Sequence, residues 1–247
     1  MSCDENCSFG LALLLSVIHA VSLSEQVVEQ VRTAIIEGHL KPGDRITEAM
    51  LTEMLGISRT PIREALILLV REGLIVTAPN RATFVRAFTS ADVMEIFTFR
   101  TALENFAGEL LMGIPVTSGD VQHLRESITA QQAALESSDL KRVRSTDMAF
   151  HEYLVMRSGH AILLRNWREI VAQIAAVLYL RAEAIRDYDE TQSIRDHSAI
   201  VDAYEARDIE RLRTLNQQIN QRVAAECIRA VQISSPPDVP SRGKRGD

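Results

Sequence analysis

The chain contains the stretch Leu55-Gly56-Ile57-Ser58-Arg59-Thr60-Pro61-Ile62-Arg63-Glu64-Ala65-Leu66. Gly56 favours a tight turn, and Ser58 can cap the helix that follows. Pro61 falls in the first turn of that helix, where its missing N–H costs little. The apolar residues that follow have helical spacing and predict a buried face made of Ile62, Ala65, Leu66, Leu69 and Val70. The stretch therefore predicts two helices joined by a glycine turn.

The segments on either side complete a recognisable order of elements. Ser22-x-x-Glu25 is a capping-box signature for an earlier helix, and Thr47 can cap the short helix before Gly56. Val27, Val31, Ala34 and Ile35 follow at helical spacing in the first of these helices, and the short helix carries Leu51, Met54 and Leu55. After Gly73, the β-prone runs 74–77 and 83–86 predict a hairpin. Helix, short helix, turn, capped helix and hairpin are typical of a winged helix-turn-helix.

The helix that starts after Ser58 carries the residue types that read DNA. A recognition helix enters the major groove by its N-terminal end, and Arg59 and Arg63 share one face of it. An arginine can fork onto guanine O6 and N7, which is worth about 1–3 kcal/mol of discrimination. The alternative is a small helical domain with solvated arginines. The candidate DNA contacts, with Ser58 beside a phosphate and Arg81 at the wing tip, are Arg45, Ser58, Arg59, Thr60, Arg63 and Arg81.

Composition indicates an ordinary protein with room for two cores. The 247 residues are 46% hydrophobic and carry a net charge of −6, which excludes a generally basic nucleic-acid coat. Residues 22–88 hold eight basic and eight acidic side chains, so DNA contact must come from placed arginines. The three cysteines, Cys3, Cys7 and Cys227, form neither a disulfide framework nor a zinc site, which favours a reducing cytoplasm.

The two ends of the chain differ from the middle. Residues 9–21 are apolar, but Asp4 and Glu5 stand where a signal peptide carries positive charge, and the run is too short to span a bilayer. An extra helix or a start codon assigned too early is favoured over a targeting role. We predict four parts: an atypical leader at 1–21, a winged helix-turn-helix at 22–88, a helical domain at 89–232 and a disordered tail at 233–247.

The third part is predicted to be an all-α bundle, so the fold class is mainly α. Glycine, proline and capping residues divide it into about six helices, and Ser118, Asp139 and Asp208 fit N-caps. Six amphipathic helices of such length form a bundle. The predicted helices are 90–112, 117–136, 139–158, 160–185, 190–206 and 208–232.

Asp147 and His151 lie four residues apart on one predicted helix, and His197 lies on a later one. An aspartate with two imidazoles can hold a divalent transition metal such as zinc, and open coordination positions can take a carboxylate. The alternative is an ordinary solvated ion pair.

Residues 37–85 resemble the DNA-binding domain of the GntR family, through 37–46, 55–66 and 72–75. The resemblance implies DNA contacts from the residues at 58, 59, 60 and 63, and a wing in the minor groove. Ala82 stands where the family usually has glycine, so we expect the wing tip around Arg81 to differ.

Residues 92–225 resemble the FCD ligand-binding domain, through 95–104, 147–151, 158–160 and 196–200. The resemblance implies metal ligands at Asp147, His151 and His197, with Arg100 and Glu104 beside the effector. The family's further histidine falls near Ile219 or Asn220 and is missing here; Asn216 or Asn220 would replace it weakly. His160 is interpreted as local packing, and Trp167, Tyr179 and Arg181 either line the cavity or belong to the core.

These features lead to three hypotheses. The first is a homodimeric regulator, expected to be a repressor and not an enzyme, that binds a short palindromic operator in double-stranded DNA and responds to a small organic acid. The second is a metal-dependent hydrolase that uses Asp147, His151 and His197, with Glu104 as general base. The third is a dimerisation module with a vestigial pocket. No membrane partner is expected.

Overall fold

The computed structural model describes residues 22–185 and 189–234. Across this part of the chain, the first region has the elements α1 (Leu23–Ile36), β1 (Arg45–Ile46), α2 (Glu48–Leu55), α3 (Arg59–Arg71), β2 (Ile75–Thr77) and β3 (Thr83–Val85). The second has α4 (Ser90–Met112), α5 (Ser118–Glu136), α6 (Leu140–Arg157), α7 (Ala161–Ala184), α8 (Thr191–Glu205) and α9 (Ile209–Ser234). The predicted fold class, a winged helix-turn-helix followed by a helical bundle, is confirmed. The leader at 1–21 and the tail beyond residue 234 lie outside the described residues.

The helices of the first region begin where capping residues permit. Ser22 and Glu25 form the predicted capping box, and Thr47 Oγ1 accepts a hydrogen bond from the backbone N–H of Met50. Gly56 adopts a left-handed φ of 66°, which favours a residue without a Cβ. Ser58 stands at the N-cap of α3 but makes no capping hydrogen bond there, which corrects the prediction that it caps the helix.

The wing is a three-stranded sheet rather than a single hairpin. β3 is the central strand and pairs antiparallel with both β1 and β2. The two-residue β1 was not predicted, because its pairing depends on a partner almost forty residues away rather than on local pattern. The left-handed residue of the wing turn is Arg81, with φ 62°, so the strain expected at Ala82 falls one position earlier.

The core under α3 largely follows the predicted stripe: Ile62, Ala65, Leu66 and Leu69 are buried. Val70, predicted to be buried, is 40% exposed because it lies about 100° around the helix from Leu69. Met54, one of the apolar residues of α2, is 72% exposed. The short α2 packs mainly on α3, and Leu51 is its one fully buried residue.

The second region is a six-helix bundle. Its helix bounds agree closely with those expected from the glycine, proline and capping residues. Thr117, rather than Ser118, caps α5, because its hydroxyl and Asp120 form a capping box. Asp139 and Asp208 cap α6 and α9 as predicted. α9 continues to Ser234, two residues beyond its predicted end. α7 packs against α4, α6 and α9 and also contacts α1 of the first region.

The two regions share one continuous apolar core. A polar connection reinforces it: the guanidinium of Arg86, just after β3, bonds the Asp92 carboxylate at 2.6 Å and Gln173 Oε1 at 3.3 Å. The helix-turn-helix and its wing are therefore attached to α4 and α7 of the bundle. None of the helices within the described residues is long and apolar enough to cross a membrane.

Candidate functional site

The residues predicted to contact DNA are all on the surface of the first region. Ser58, Arg59 and Thr60 lie at the N-terminal end of α3, and Arg63 follows one turn later. Arg45 lies on β1, which pairs with β3 of the wing. Every one of these side chains and Arg81 is exposed, as contact with a duplex requires.

The two arginines predicted to read bases differ in their surroundings. Arg63 forms a forked ion pair with Glu48 of α2, with N–O distances of 2.9 and 3.0 Å. The Arg63 hydrogen bond lowers the pKa of Glu48 below its ordinary value. Arg59 makes no hydrogen bond or salt bridge within residues 22–185 and 189–234, so its guanidinium is available to a partner outside the protein.

Asp147, His151 and His197 converge in the middle of the second region, as their spacing predicted. His197 Nε2 lies 3.2 Å from His151 Nε2 and 3.3 Å from Asp147 Oδ1. One ligand atom from each of the three residues falls within 4.8 Å of the others. α6 supplies Asp147 and His151 on one face, and α8 brings His197 against them.

The outer nitrogen of each histidine is held by a hydrogen-bond acceptor. His151 Nδ1 lies 2.9 Å from Glu104 Oε1, and His197 Nδ1 lies 2.9 Å from Gln131 Oε1. The Gln131 amide is oriented in turn, because its Nε2 donates to Ser193 Oγ, which donates to the Glu190 carbonyl. Gln131 must therefore present its carbonyl oxygen to His197.

These contacts determine the tautomers. Both Nδ1 atoms must carry the proton, since a carboxylate and an amide oxygen only accept hydrogen bonds. The two Nε2 lone pairs then face each other and the Asp147 carboxylate. A cation at this point relieves the repulsion, whether it is a second proton on His197 or a metal ion.

The charges around the histidines keep the acids ionised. Burial by itself raises the pKa of Glu104, but Arg100 and His151 outweigh it and lower this pKa to about 2. Burial also raises the pKa of Asp147, but His197, His151 and Arg100 together outweigh it and hold this pKa well below its ordinary value. Burial and the Arg100 charge lower the pKa of His151, which leaves a neutral imidazole able to act as a ligand.

The cluster lies in the wall of a cavity that is open to solvent on one side. The wall carries four arginines, Arg100, Arg144, Arg181 and Arg222. It also carries three acids, Asp147, Glu190 and Asp196. Leu178, Ile219 and Val223 are among its apolar residues, so the cavity combines charged groups with an apolar floor.

Several predicted site residues have roles that the sequence left open. Arg100 lines the cavity and also bonds Glu104 at 2.8 Å. Glu104 lies behind His151, not in the cavity wall. Asn220 donates to Glu104, and Asn216 donates to Asn105, so α9 brings neither amide into the wall of this cavity.

Of the remaining positions that the sequence suggested for the cavity or the core, Trp167 belongs to the core and Arg181 lines the cavity. His160 caps α7 by accepting from the Leu163 N–H, as local packing implies. Sequence reasoning missed Gln131, Ser193 and Arg144. Arg144 precedes Asp147 by three residues on the same helix, and this spacing could have indicated that both side chains face the same cavity. The other two are brought to His197 only by the packing of α5 against α8.

Comparison with known proteins places both regions in described families. Residues 23–85 match the family model "Bacterial regulatory proteins, gntR family", and residues 95–222 match the model "FCD domain". The chain is 30% identical to the HTH-type transcriptional regulator McbR of Escherichia coli over 81% of its length and 90% of the relative. It is 30% identical to a probable D-xylose utilization operon transcriptional repressor of Paenarthrobacter nicotinovorans, covering 76% and 81% of the two chains. The solved structure of E. coli McbR/YncC matches with a TM-score of 0.72 at 29% identity, over 85% of this chain and 99% of that one.

Proposed function

This chain belongs to the GntR family of bacterial regulatory proteins and carries an FCD domain, and we propose that it is a DNA-binding repressor controlled by a small organic acid. Binding of the acid would either release the protein from DNA or strengthen its binding to DNA. The observation that carries this proposal is the cavity wall. Four arginines and an Asp/His/His cluster surround one space in the FCD domain, and that combination suits an anion. The repressor assignment is supported by the similar protein of Paenarthrobacter nicotinovorans, whose name describes a repressor.

The same cluster supports metal binding. Two imidazole Nε2 atoms and one carboxylate converge, and the outer nitrogens of both rings are already held by hydrogen bonds, so the three groups could hold a metal ion. Asp147, His151 and His197 would hold a divalent transition ion such as zinc, without a fourth protein ligand from α9. Such an ion offers open coordination positions to an effector carboxylate. Arg100 would orient that carboxylate from the cavity wall.

DNA recognition is proposed to depend first on Arg59. Its guanidinium is exposed at the N-terminal end of α3 and has no partner among the described residues, whereas Arg63 is held by Glu48. Ser58 and Thr60 are placed for the phosphate backbone, with Arg45 and Arg81 on the strands and wing. GntR-family regulators act as dimers, so two copies of α3 would read a short palindrome.

A hydrolase is less well supported by this geometry. Glu104, the residue suggested as general base, has one oxygen on His151 and Arg100 and the other on Asn220. Its lowered pKa and its place behind the histidine make it an orienting group rather than a base facing a substrate.

The regulator proposal is tested by DNA binding. The DNA is the region upstream of the protein's own gene together with sites selected from a random library by the wild-type protein. Fluorescence anisotropy at fixed salt should show selective binding that falls about 5- to 150-fold in Arg59→Ala, the loss of one forked base contact. Arg63→Ala should also weaken binding.

Arg71→Ala is the matched control, because Arg71 is exposed at the opposite end of α3. It should bind within about twofold of wild type, since it lies away from the major-groove end of the helix. Equal affinity of wild type and Arg59→Ala for a selected site would refute the assigned recognition residue. Absence of any sequence preference in the wild type would refute the regulator proposal itself.

A further inference from the structure

Arg144 is the arginine of the cavity wall whose charge is unpaired. The other three have acidic partners: Arg100 with Glu104, Arg181 with Glu226, and Arg222 with Asp196. Within residues 22–185 and 189–234, no hydrogen bond or salt bridge joins Arg144 to any group. Glu190 feels its charge only at longer range. A half-buried cation without a partner, facing a cavity, favours an anion there.

The position of Arg144 relative to the histidine cluster indicates what kind of anion fits. Arg144 and Asp147 lie three residues apart on α6, about 4.5 Å along its axis, and both line the same cavity. Because Asp147 is itself anionic, a ligand carboxylate would bind at the cluster through a cation held there, and such a ligand can place a second anionic group on Arg144. A monocarboxylate can satisfy only one of the two ends.

The guanidinium of Arg144 rests on the ring of Tyr179, 5.6 Å from its centroid. Tyr179 lies on α7, and its hydroxyl reaches the turn at the end of α1 in the DNA-binding domain. There Gly38 has a φ of 75°, and a Cβ added to it would overlap the Tyr179 hydroxyl and ring. Tyr179 thus has the cavity arginine on one side and the DNA-binding domain on the other.

We propose that Arg144 binds the second anionic group of a di- or tricarboxylate effector, and that Tyr179 transmits this binding to the Gly38 turn. Drawing the guanidinium toward the ligand weakens its contact with the ring, so Tyr179 supports the turn differently when the effector is bound. This inference rests on the proposed function, since it takes the cavity as the effector site. Because coupling is reciprocal, DNA and the ligand should change each other's affinity by the same factor.

The recognition step is tested without DNA. Isothermal titration of the full chain with citrate, succinate and acetate should show tighter binding of the di- and tricarboxylates. Arg144→Gln should weaken citrate binding about tenfold or more and leave acetate within about twofold. Arg168→Gln is the control, because Arg168 is exposed and pairs with Glu152 away from the cavity.

Unchanged citrate affinity in Arg144→Gln would overturn the inference. Binding of all three anions with equal affinity, or of none, by the wild type would also overturn it. These outcomes are independent of whether the protein recognises an operator, so a failed DNA experiment and a failed titration remain distinguishable.

The coupling step is tested by following citrate's effect on DNA affinity. Tyr179→Leu removes the ring under Arg144 and should bind citrate within about twofold of wild type while losing most of the citrate response. Tyr179→Phe keeps the ring and should restore the response, and a thermal melt of both variants reports whether they fold. A full citrate response in Tyr179→Leu would show that the Gly38 turn is reached by another route.

Discussion

At the scale of single residues, the most informative group is the pair of histidines with Asp147. Their hydrogen bonds to Glu104 and Gln131 leave both Nε2 atoms unprotonated and facing one another at 3.2 Å. That arrangement is unfavourable without a positive charge between the rings. Gln131 and Ser193, which impose it, are uncharged residues of the cavity wall, and their hydrogen bonds orient His197.

Metal binding at this cluster should be visible as added stability. A divalent transition ion at about a hundred times its dissociation constant stabilises the folded state by about 2.7 kcal/mol, which raises Tm by roughly 5–10 °C in a protein of this size. We expect that rise with zinc or nickel in the wild type and its loss in His197→Asn. Differential scanning calorimetry of chelator-treated protein measures it.

His160→Asn is the matched histidine control, because His160 caps α7 and asparagine preserves an N-cap. It should keep the full metal-dependent rise in Tm. The same rise in His197→Asn, or no rise in the wild type with either metal, would count against a metal at the cluster and leave a proton on His197 as the balancing charge.

At the scale of secondary structure, caps and ion pairs decide how neighbouring helices meet. Asp120 is the clearest case, because one carboxylate both caps α5 and binds α6. Its Oδ2 accepts from the N–H and hydroxyl of Thr117, and its Oδ1 accepts from the Tyr153 hydroxyl at 2.9 Å and Arg157 Nε at 2.8 Å. The Arg157 hydrogen bond, opposed by burial, holds the pKa of Asp120 well below its ordinary value.

Asp120→Asn should destabilise the protein by about 2 kcal/mol at neutral pH, because an amide cannot accept all four bonds and loses the charge that binds Arg157. A lowered pKa in the folded state gives stability that is present above the ordinary aspartate pKa and is lost as the pH falls through the folded value. The difference in the free energy of unfolding between the wild type and the variant should therefore become smaller as the pH is lowered.

Urea unfolding at about pH 7 and about pH 3 compares the two proteins. Asp139→Asn is the control: Asp139 caps α6 through one exposed hydrogen bond, and asparagine caps as well as aspartate. If the difference in the free energy of unfolding between the wild type and Asp120→Asn stays constant with pH, the role given to the carboxylate's charge is contradicted.

At the scale of the whole molecule, the DNA-binding domain and the effector domain meet along α7. Gln173 bonds Arg86 beside the wing, and Tyr179 contacts Gly38 at the end of α1. The same helix turns Leu178 and Arg181 into the cavity. One helix therefore touches both the cavity proposed as the ligand site and the GntR domain, and this is the physical basis of the proposed coupling.

Replacing Gly38 with alanine should be more harmful than replacing Gly43, although both have positive φ. Each substitution costs roughly 1–2 kcal/mol for the left-handed backbone. Gly43 faces open space, whereas the methyl group at Gly38 overlaps Tyr179 and adds about 1–3 kcal/mol of overpacking. Thermal unfolding measures the stability lost in each of the two variants. Adding Tyr179→Ala to Gly38→Ala should restore part of the lost stability, because it removes the overlapping ring. Equal losses in both glycine variants would mean that the contact with α7 carries no stability.

The elements of this protein could be predicted from the sequence because their signals are local. Capping residues, glycine turns and apolar periodicity lie within a few residues of the structure they specify, so the six bundle helices and the helix-turn-helix were located to within a few residues. Asp147 and His151 share a helix, and their spacing predicted that they share a face. The strand β1 was missed because its pairing partner β3 is distant in the chain, and the predicted burial of Val70 was wrong because this residue lies at the edge of the apolar face of α3.

What only the tertiary structure decided is which residues meet between elements. Packing of α5 against α8 brings Gln131 and Ser193 to His197, and packing of α1 against α7 brings Gly38 to Tyr179. No spacing within one helix encodes such pairs, because each is set by the relative placement of two helices far apart in sequence. The sequence by itself therefore determined the fold class, the helix that follows Ser58 and the three residues proposed as metal ligands. The tautomers, the unpaired Arg144 and its connection to the DNA-binding domain followed from three-dimensional packing.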